Sequence, residues 1–67
     1  MTLDDRLLAA HEAGDPAQLA RLYAEAADTA HGEAAAFYLT HAWVFALEAG
    51  APEARAYEAR LAERGLA

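Results

Sequence analysis

The sequence predicts an all-α fold of four antiparallel helices, arranged as two helix-turn-helix hairpins, and three observations favour it. Alanine, the strongest helix former, supplies 21 of the 67 residues. Glycine and proline, which end and begin helices, stand isolated between alanine-rich segments. No segment alternates β-branched and polar residues as a half-buried strand does.

The first hairpin contains two helices with recognisable start signals. Thr2 and Asp5 have the spacing of a capping box, and the helix that they open should end at Gly14. Asp15 and Pro16 predict the start of a second helix, with aspartate as the N-cap and proline in the first turn. In that helix, one apolar stripe follows helical spacing: Leu19, Leu22, Tyr23 and Ala26.

The second hairpin is marked in a similar way. A third helix is predicted from about Glu33 to Ala49, immediately before Gly50. Pro52 then opens a fourth helix, which Gly65 ends. Because the connections are only two to four residues long, successive helices have to fold back antiparallel.

Length and charge limit the organisation and the partners. The 67 residues predict one domain over residues 1–67, with hairpins at about 2–31 and 33–65. The formal charge is −6 and arginines do not cluster, so we expect no nucleic-acid partner. The longest apolar-leaning stretch, residues 34–47, is shorter than the roughly 20 residues that cross a bilayer. With an acidic opening segment, this predicts no membrane partner and a cytoplasmic location, and the residue bias indicates a GC-rich bacterial genome.

The residues that carry catalytic chemistry are scarce in this sequence. Cysteine and serine are missing, and the four glycines are isolated rather than gathered in a phosphate-binding loop. His41 has Phe37 and Phe45 one turn away on either side, so it forms no pair of metal ligands on a helix, and His31 with Glu33 offers only two weak ligands in a loop. Each of the three histidines is therefore interpreted as a capping or packed polar group. We expect no enzymatic activity, no catalytic residues, no metal site and no cofactor.

The two hairpins resemble each other in sequence. Residues 10–16 match residues 46–52 at five of seven positions, an offset of 36 residues. With this internal repeat, nearly the whole chain resembles two degenerate copies of the tetratricopeptide-repeat family. Tyr23 and Ala26 stand where the family has the aromatic and small residues of its second helix, and Ala62 repeats the small one. The alternative interpretation is a four-helix bundle with two similarly capped turns.

The resemblance implies a fragment of an α-α superhelix whose concave groove binds a protein or a peptide. That groove is lined by the first helix of each repeat. The positions that it implies here are Leu8, His11, Phe37, Thr40, Val44 and Leu47. The best-known peptide-clamping members hold a terminal carboxylate with lysine, arginine and asparagine. None of these occurs at the six positions, so that specificity is not implied.

The third helix carries most of the large apolar side chains, on three different faces. The residues of the first face are Leu39, Trp43 and Ala46. Those of the second face are Phe37, Thr40, Val44 and Leu47, and those of the third face are Tyr38, His41 and Phe45. A helix that is apolar all round is normally buried all round, but its alanine-rich neighbours offer little cover. Either it is the central helix of a compact bundle, or part of its surface is an exposed interface. His41, among aromatic residues, is a candidate pH-sensitive interface residue.

We therefore interpret the chain as a small acidic module that binds a protein or peptide through its aromatic third helix. The alternative is a self-assembling helical homodimer with a purely structural role, in which the partner is a second copy. The candidate binding residues are Leu8, His11, Phe37, Thr40, His41, Val44 and Leu47.

Overall fold

A computed structural model describes residues 1–65, and in this range the chain forms four α-helices. They are α1 (Leu3–Ala13), α2 (Pro16–Thr29), α3 (Gly32–Ala49) and α4 (Ala54–Glu63). Residues 1–65 contain no strand, so the predicted all-α class is confirmed. No helix in this range is both long enough and apolar enough to cross a bilayer. Residues 66 and 67 of the predicted domain lie outside the described residues.

The two helices of the first hairpin begin where their caps were predicted. The Thr2 hydroxyl accepts from the Asp5 amide at 3.1 Å, and the Asp5 carboxylate accepts from the Thr2 amide at 3.2 Å. This reciprocal pair is a capping box. At the start of α2, the Asp15 carboxylate accepts from the Gln18 amide at 3.2 Å, and Pro16 occupies the first turn. Each cap satisfies an amide that the helix itself leaves free.

Both hairpins turn at a glycine with left-handed backbone. Gly14 has φ of 63° and Gly50 has φ of 64°, and the amide of each bonds to carbonyls in the last turn of the preceding helix. A Cβ at either position would meet nothing within 4 Å. The left-handed conformation, rather than crowding, therefore explains glycine at these positions.

The start of α4 differs from the prediction. Pro52 was expected to open the helix, but the helix begins at Ala54 after a turn. Hydrogen bonds between residues three positions apart form this turn. The Ala54 amide donates to the Ala51 carbonyl at 3.2 Å, and the Arg55 amide donates to the Pro52 carbonyl at 3.4 Å. Ala51 has no side-chain oxygen to cap a helix that starts at Pro52, in contrast to Asp15 of the first hairpin.

Each helix packs mainly against its neighbours in sequence, and the α2–α3 contact is the most extensive. Short turns and consecutive packing give the two antiparallel hairpins. The Cα atoms span 32 × 26 × 11 Å, so the molecule is a thin slab. Because packed helix axes lie about 8–10 Å apart, a Cα span of 11 Å holds fewer than three helix layers, so each helix keeps a face turned to solvent.

The core consists of alanines and a few large side chains. Ala35, Ala42 and Ala46 of α3 have 0% of their surface exposed. Small side chains on this face let α3 lie close to its neighbours. The fully buried large side chains are Leu22, Leu39 and Leu61.

Two ion pairs connect α2 to α1 and to α4. Arg6 of α1 donates to both carboxylate oxygens of Glu25, at 3.0 and 3.1 Å. Arg60 of α4 donates to the Asp28 carboxylate at 2.8 Å. Both pairs are substantially exposed, so each contributes little to stability but shows that α1 and α4 approach α2.

Candidate interaction surface

One face of α3 is apolar and yet exposed to solvent. Phe37, Val44 and Leu47 have 56%, 44% and 57% of their surface exposed. With Thr40, which is also exposed, they recur at helical spacing. We call these four residues the α3 stripe. The buried alanines lie on the opposite side of the helix, so only this face of α3 lacks cover.

The polar hydroxyl of Thr40 is compatible with an apolar partner. Its hydroxyl donates to the carbonyl of Ala36, one turn earlier, at 2.8 Å. The hydrogen is thus used within α3, and a partner does not have to supply an acceptor for it.

Leu8 adds an exposed apolar residue on α1. Its side chain is 60% exposed, and it precedes His11 by one turn. The ring of His11 meets that of Phe45 edge to face, with centroids 5.9 Å apart. This contact joins α1 to the face of α3 that carries Phe45, and Leu8 lies one turn before it on α1.

An aromatic cluster forms around Tyr23 of α2, on the face of α3 next to the stripe. The Tyr23 ring stacks on Phe45 with centroids 5.7 Å apart and an interplanar angle of 8°. His41 and Tyr38 also contact it, at 5.1 and 6.3 Å. We call these residues, with His11, the Tyr23 cluster. Tyr23, which belongs to the predicted apolar stripe of α2, is half-buried, and its hydroxyl has a polar partner in His11.

Hydrogen bonds fix the two histidines of this cluster. His11 Nε2 lies 3.1 Å from the Tyr23 hydroxyl, which joins α1 to α2. His41 Nδ1 lies 2.8 Å from the Phe37 carbonyl oxygen. Since a carbonyl only accepts, Nδ1 of His41 carries the hydrogen. The His41 ring also lies 4.3 Å from that of Phe37, so His41 connects the cluster to the stripe.

The C-terminal end of the stripe opens into a shallow depression. It has a volume of about 490 Å³ and lies where α3 turns into α4. Leu47, Gly50, Ala51 and Arg55 are among the residues that line it. An apolar side chain of a partner that follows the stripe could enter this depression.

The structure places all seven predicted binding residues on α1 and α3. Six are exposed and His41 is half-buried. Ring contacts or helical spacing connect them into one region: Leu8, His11, Phe37, Thr40, His41, Val44 and Leu47. Tyr23, whose ring contacts His11 of α1 and both His41 and Phe45 of α3, is not among the residues predicted from the sequence.

Within residues 1–65, no three histidine, aspartate or glutamate side chains come close enough together to hold a metal ion. Compared with protein-family models, curated proteins and solved structures, the chain matches none of them.

Proposed function

We propose that this chain is a small acidic protein-interaction module that binds a protein or peptide through the α3 stripe and Leu8. One observation carries the proposal: three large apolar side chains of α3 are 44% to 57% exposed on one face. Exposed apolar patches on a small protein are typical of interaction sites. Aromatic residues at such sites contribute strongly to affinity, which makes Phe37 the expected anchor.

Two further features support binding rather than catalysis. The rings of His41 and Tyr38 in the Tyr23 cluster pack against Phe37 of the stripe, with centroids 4.3 and 5.6 Å away, so the Phe37 side chain loses little freedom when a partner binds. The resemblance to tetratricopeptide repeats implies a groove at the same positions. That resemblance, the cytoplasmic location and the bacterial source stay predictions from the sequence.

The proposal is tested with a triple variant of the stripe: Phe37→Gln, Val44→Gln and Leu47→Gln. Glutamine keeps helix propensity but removes the apolar surface. The matched control places glutamine at three exposed alanines of α4: Ala56, Ala59 and Ala62. We expect both variants to retain wild-type helicity by circular dichroism. Proteins retained from a cell extract by the wild type and the control should be lost by the stripe variant.

Equal retention by both variants would remove the stripe from the binding surface and overturn the proposal. A collapse of helicity in the stripe variant alone would show that its residues are core, with the same consequence. Light scattering on the wild type distinguishes the proposed module from the alternative, a structural homodimer. An obligate homodimer has twice the mass of the 7.1 kDa chain.

A further inference from the structure

The apolar surface is bordered by carboxylates. On α1, Asp4 and Glu12 lie one turn before and one turn after Leu8. On α3, Glu33 lies one turn before Phe37, and Glu48 lies one turn after Val44. All four carboxylates are exposed, and Asp5 on α1 adds a fifth exposed acid beside them.

The arginines that could neutralise these acids are mostly engaged elsewhere. Arg6 and Arg60 bond to carboxylates of α2, and Arg21 donates to the Gln18 side chain at 3.0 Å. Arg55, at the depression beside Leu47, brings one positive charge to the border, and Arg64 lies at the C-terminal end of α4. The surface around the stripe and Leu8 is therefore strongly negative.

This charge pattern favours one kind of occupant. A second copy packed face to face would set carboxylates against carboxylates, and such like-charge contacts are costly. A partner that carries lysine or arginine beside its apolar residues gains from the same border. The described backbone is helical and offers no sheet edge for an added strand. The exposed Phe37, Val44 and Leu47 form a ridge along α3, and side chains of a second helix fit beside such a ridge, so the fitting partner is a helix laid along α3.

We infer that the α3 stripe and Leu8 bind a cationic amphipathic helix of another protein, an inference that rests on the proposed function. Apolar residues of that helix, at the i, i+3, i+4, i+7 spacing, would cover Phe37, Val44 and Leu47. Its basic residues would face the bordering carboxylates, with Glu33 and Glu48 at the two ends of the stripe.

The probe is a synthetic labelled peptide with leucines at helical spacing and lysines at the remaining positions. Its counterpart has glutamate in place of lysine. Binding to the full chain is followed by fluorescence anisotropy at low and moderate salt. We expect the lysine peptide to bind, with an affinity that falls as salt rises, and the glutamate peptide not to bind.

Two variants of equal charge separate local recognition from attraction by net charge. The border variant carries Glu12→Gln, Glu33→Gln and Glu48→Gln. The remote variant carries the same change at Glu53, Glu58 and Glu63, which lie at or within α4. The border variant should lose about tenfold in affinity because three ion pairs are lost, whereas the remote variant should stay close to the wild type.

Three outcomes would overturn the inference: equal loss in both charge variants, binding of the glutamate peptide as tightly as the lysine peptide, or a wild-type dimer that occupies the stripe. The proposed function has its own readout in the stripe variant. If that variant binds the lysine peptide as well as the wild type does, the stripe is not the binding surface and the proposed function fails.

Discussion

Leu39 of α3 is the side chain on which this small core depends most directly. It is 1% exposed and belongs to a cluster otherwise built largely of alanine. We expect Leu39→Ala to lower the free energy of unfolding by about 2–5 kcal/mol, because it removes buried methyl groups and leaves a cavity. Urea unfolding followed by circular dichroism measures the loss.

Leu47→Ala is the matched control for Leu39→Ala. The same truncation at a residue with 57% exposure should change the free energy of unfolding by less than about 0.5 kcal/mol. Similar losses in the two variants would contradict the assignment of Leu39 to the core and of Leu47 to the surface.

Tyr57 of α4 links stability to alkaline pH. Burial raises the pKa of its phenol above the ordinary value of 10.0, and the Glu53 carboxylate raises it further, while Arg60 and Arg21 partly lower it. The folded state therefore favours the protonated phenol. The contribution of Tyr57 to the free energy of unfolding is fully present below about pH 10, and it is lost as the pH rises from this value through the raised pKa of the folded state.

Thermal unfolding between pH 9 and pH 11.5 tests this link. The chain contains no lysine, whose ammonium group would titrate in the same interval, and arginine stays charged. We expect the melting temperature of the wild type to fall with rising pH and that of Tyr57→Phe to fall less. Tyr38→Phe, which leaves Tyr57 in place, should behave like the wild type; if all three proteins lose stability equally, Tyr57 is not responsible.

Single residues also show where sequence analysis reaches its limit. Helical spacing placed Phe37, Val44 and Leu47 on one face of α3, and the structure finds all three exposed. The same spacing grouped Trp43 with Leu39 and Ala46, yet Trp43 is only half-buried at the edge of the core cluster. Spacing gives the direction of a side chain, whereas its burial depends on how close the neighbouring helix lies.

At the scale of the element, capping decides where a helix begins. Asp15→Ala removes the carboxylate that accepts from the Gln18 amide, and we expect it to lower the free energy of unfolding by about 1 kcal/mol. Asp15→Asn keeps an oxygen acceptor and should retain most of that stability. Thermal unfolding of the two variants measures the difference, and an equal loss would show that the hydrogen bond is not the cause.

The two hairpins explain which helix starts the sequence could predict. Thr2 and Asp15 supply both a side-chain acceptor and the right spacing, and α1 and α2 begin where expected. In the second hairpin Ala51 replaces the aspartate, and α4 starts two residues after Pro52. Proline marks the turn in both cases, but only a capping oxygen fixes the first residue of the helix.

At the scale of the whole molecule, thickness explains the exposed surface. A slab whose Cα atoms span 11 Å along its shortest axis cannot enclose any helix on all sides. The apolar excess of α3 was readable from the sequence, because few large side chains lie in the other helices. The sequence could not show which face of α3 would remain exposed, because that depends on how α2 and α4 both pack against the alanines of α3.

The position of the one tryptophan has a practical consequence for this surface. Trp43 is half-buried on α3, one turn from Thr40 and one turn from Leu47. A helix that docks along these residues displaces water around the indole. The unlabelled protein thus contains a natural fluorophore next to the α3 stripe, and binding of a partner to the stripe can be followed through the emission of this tryptophan.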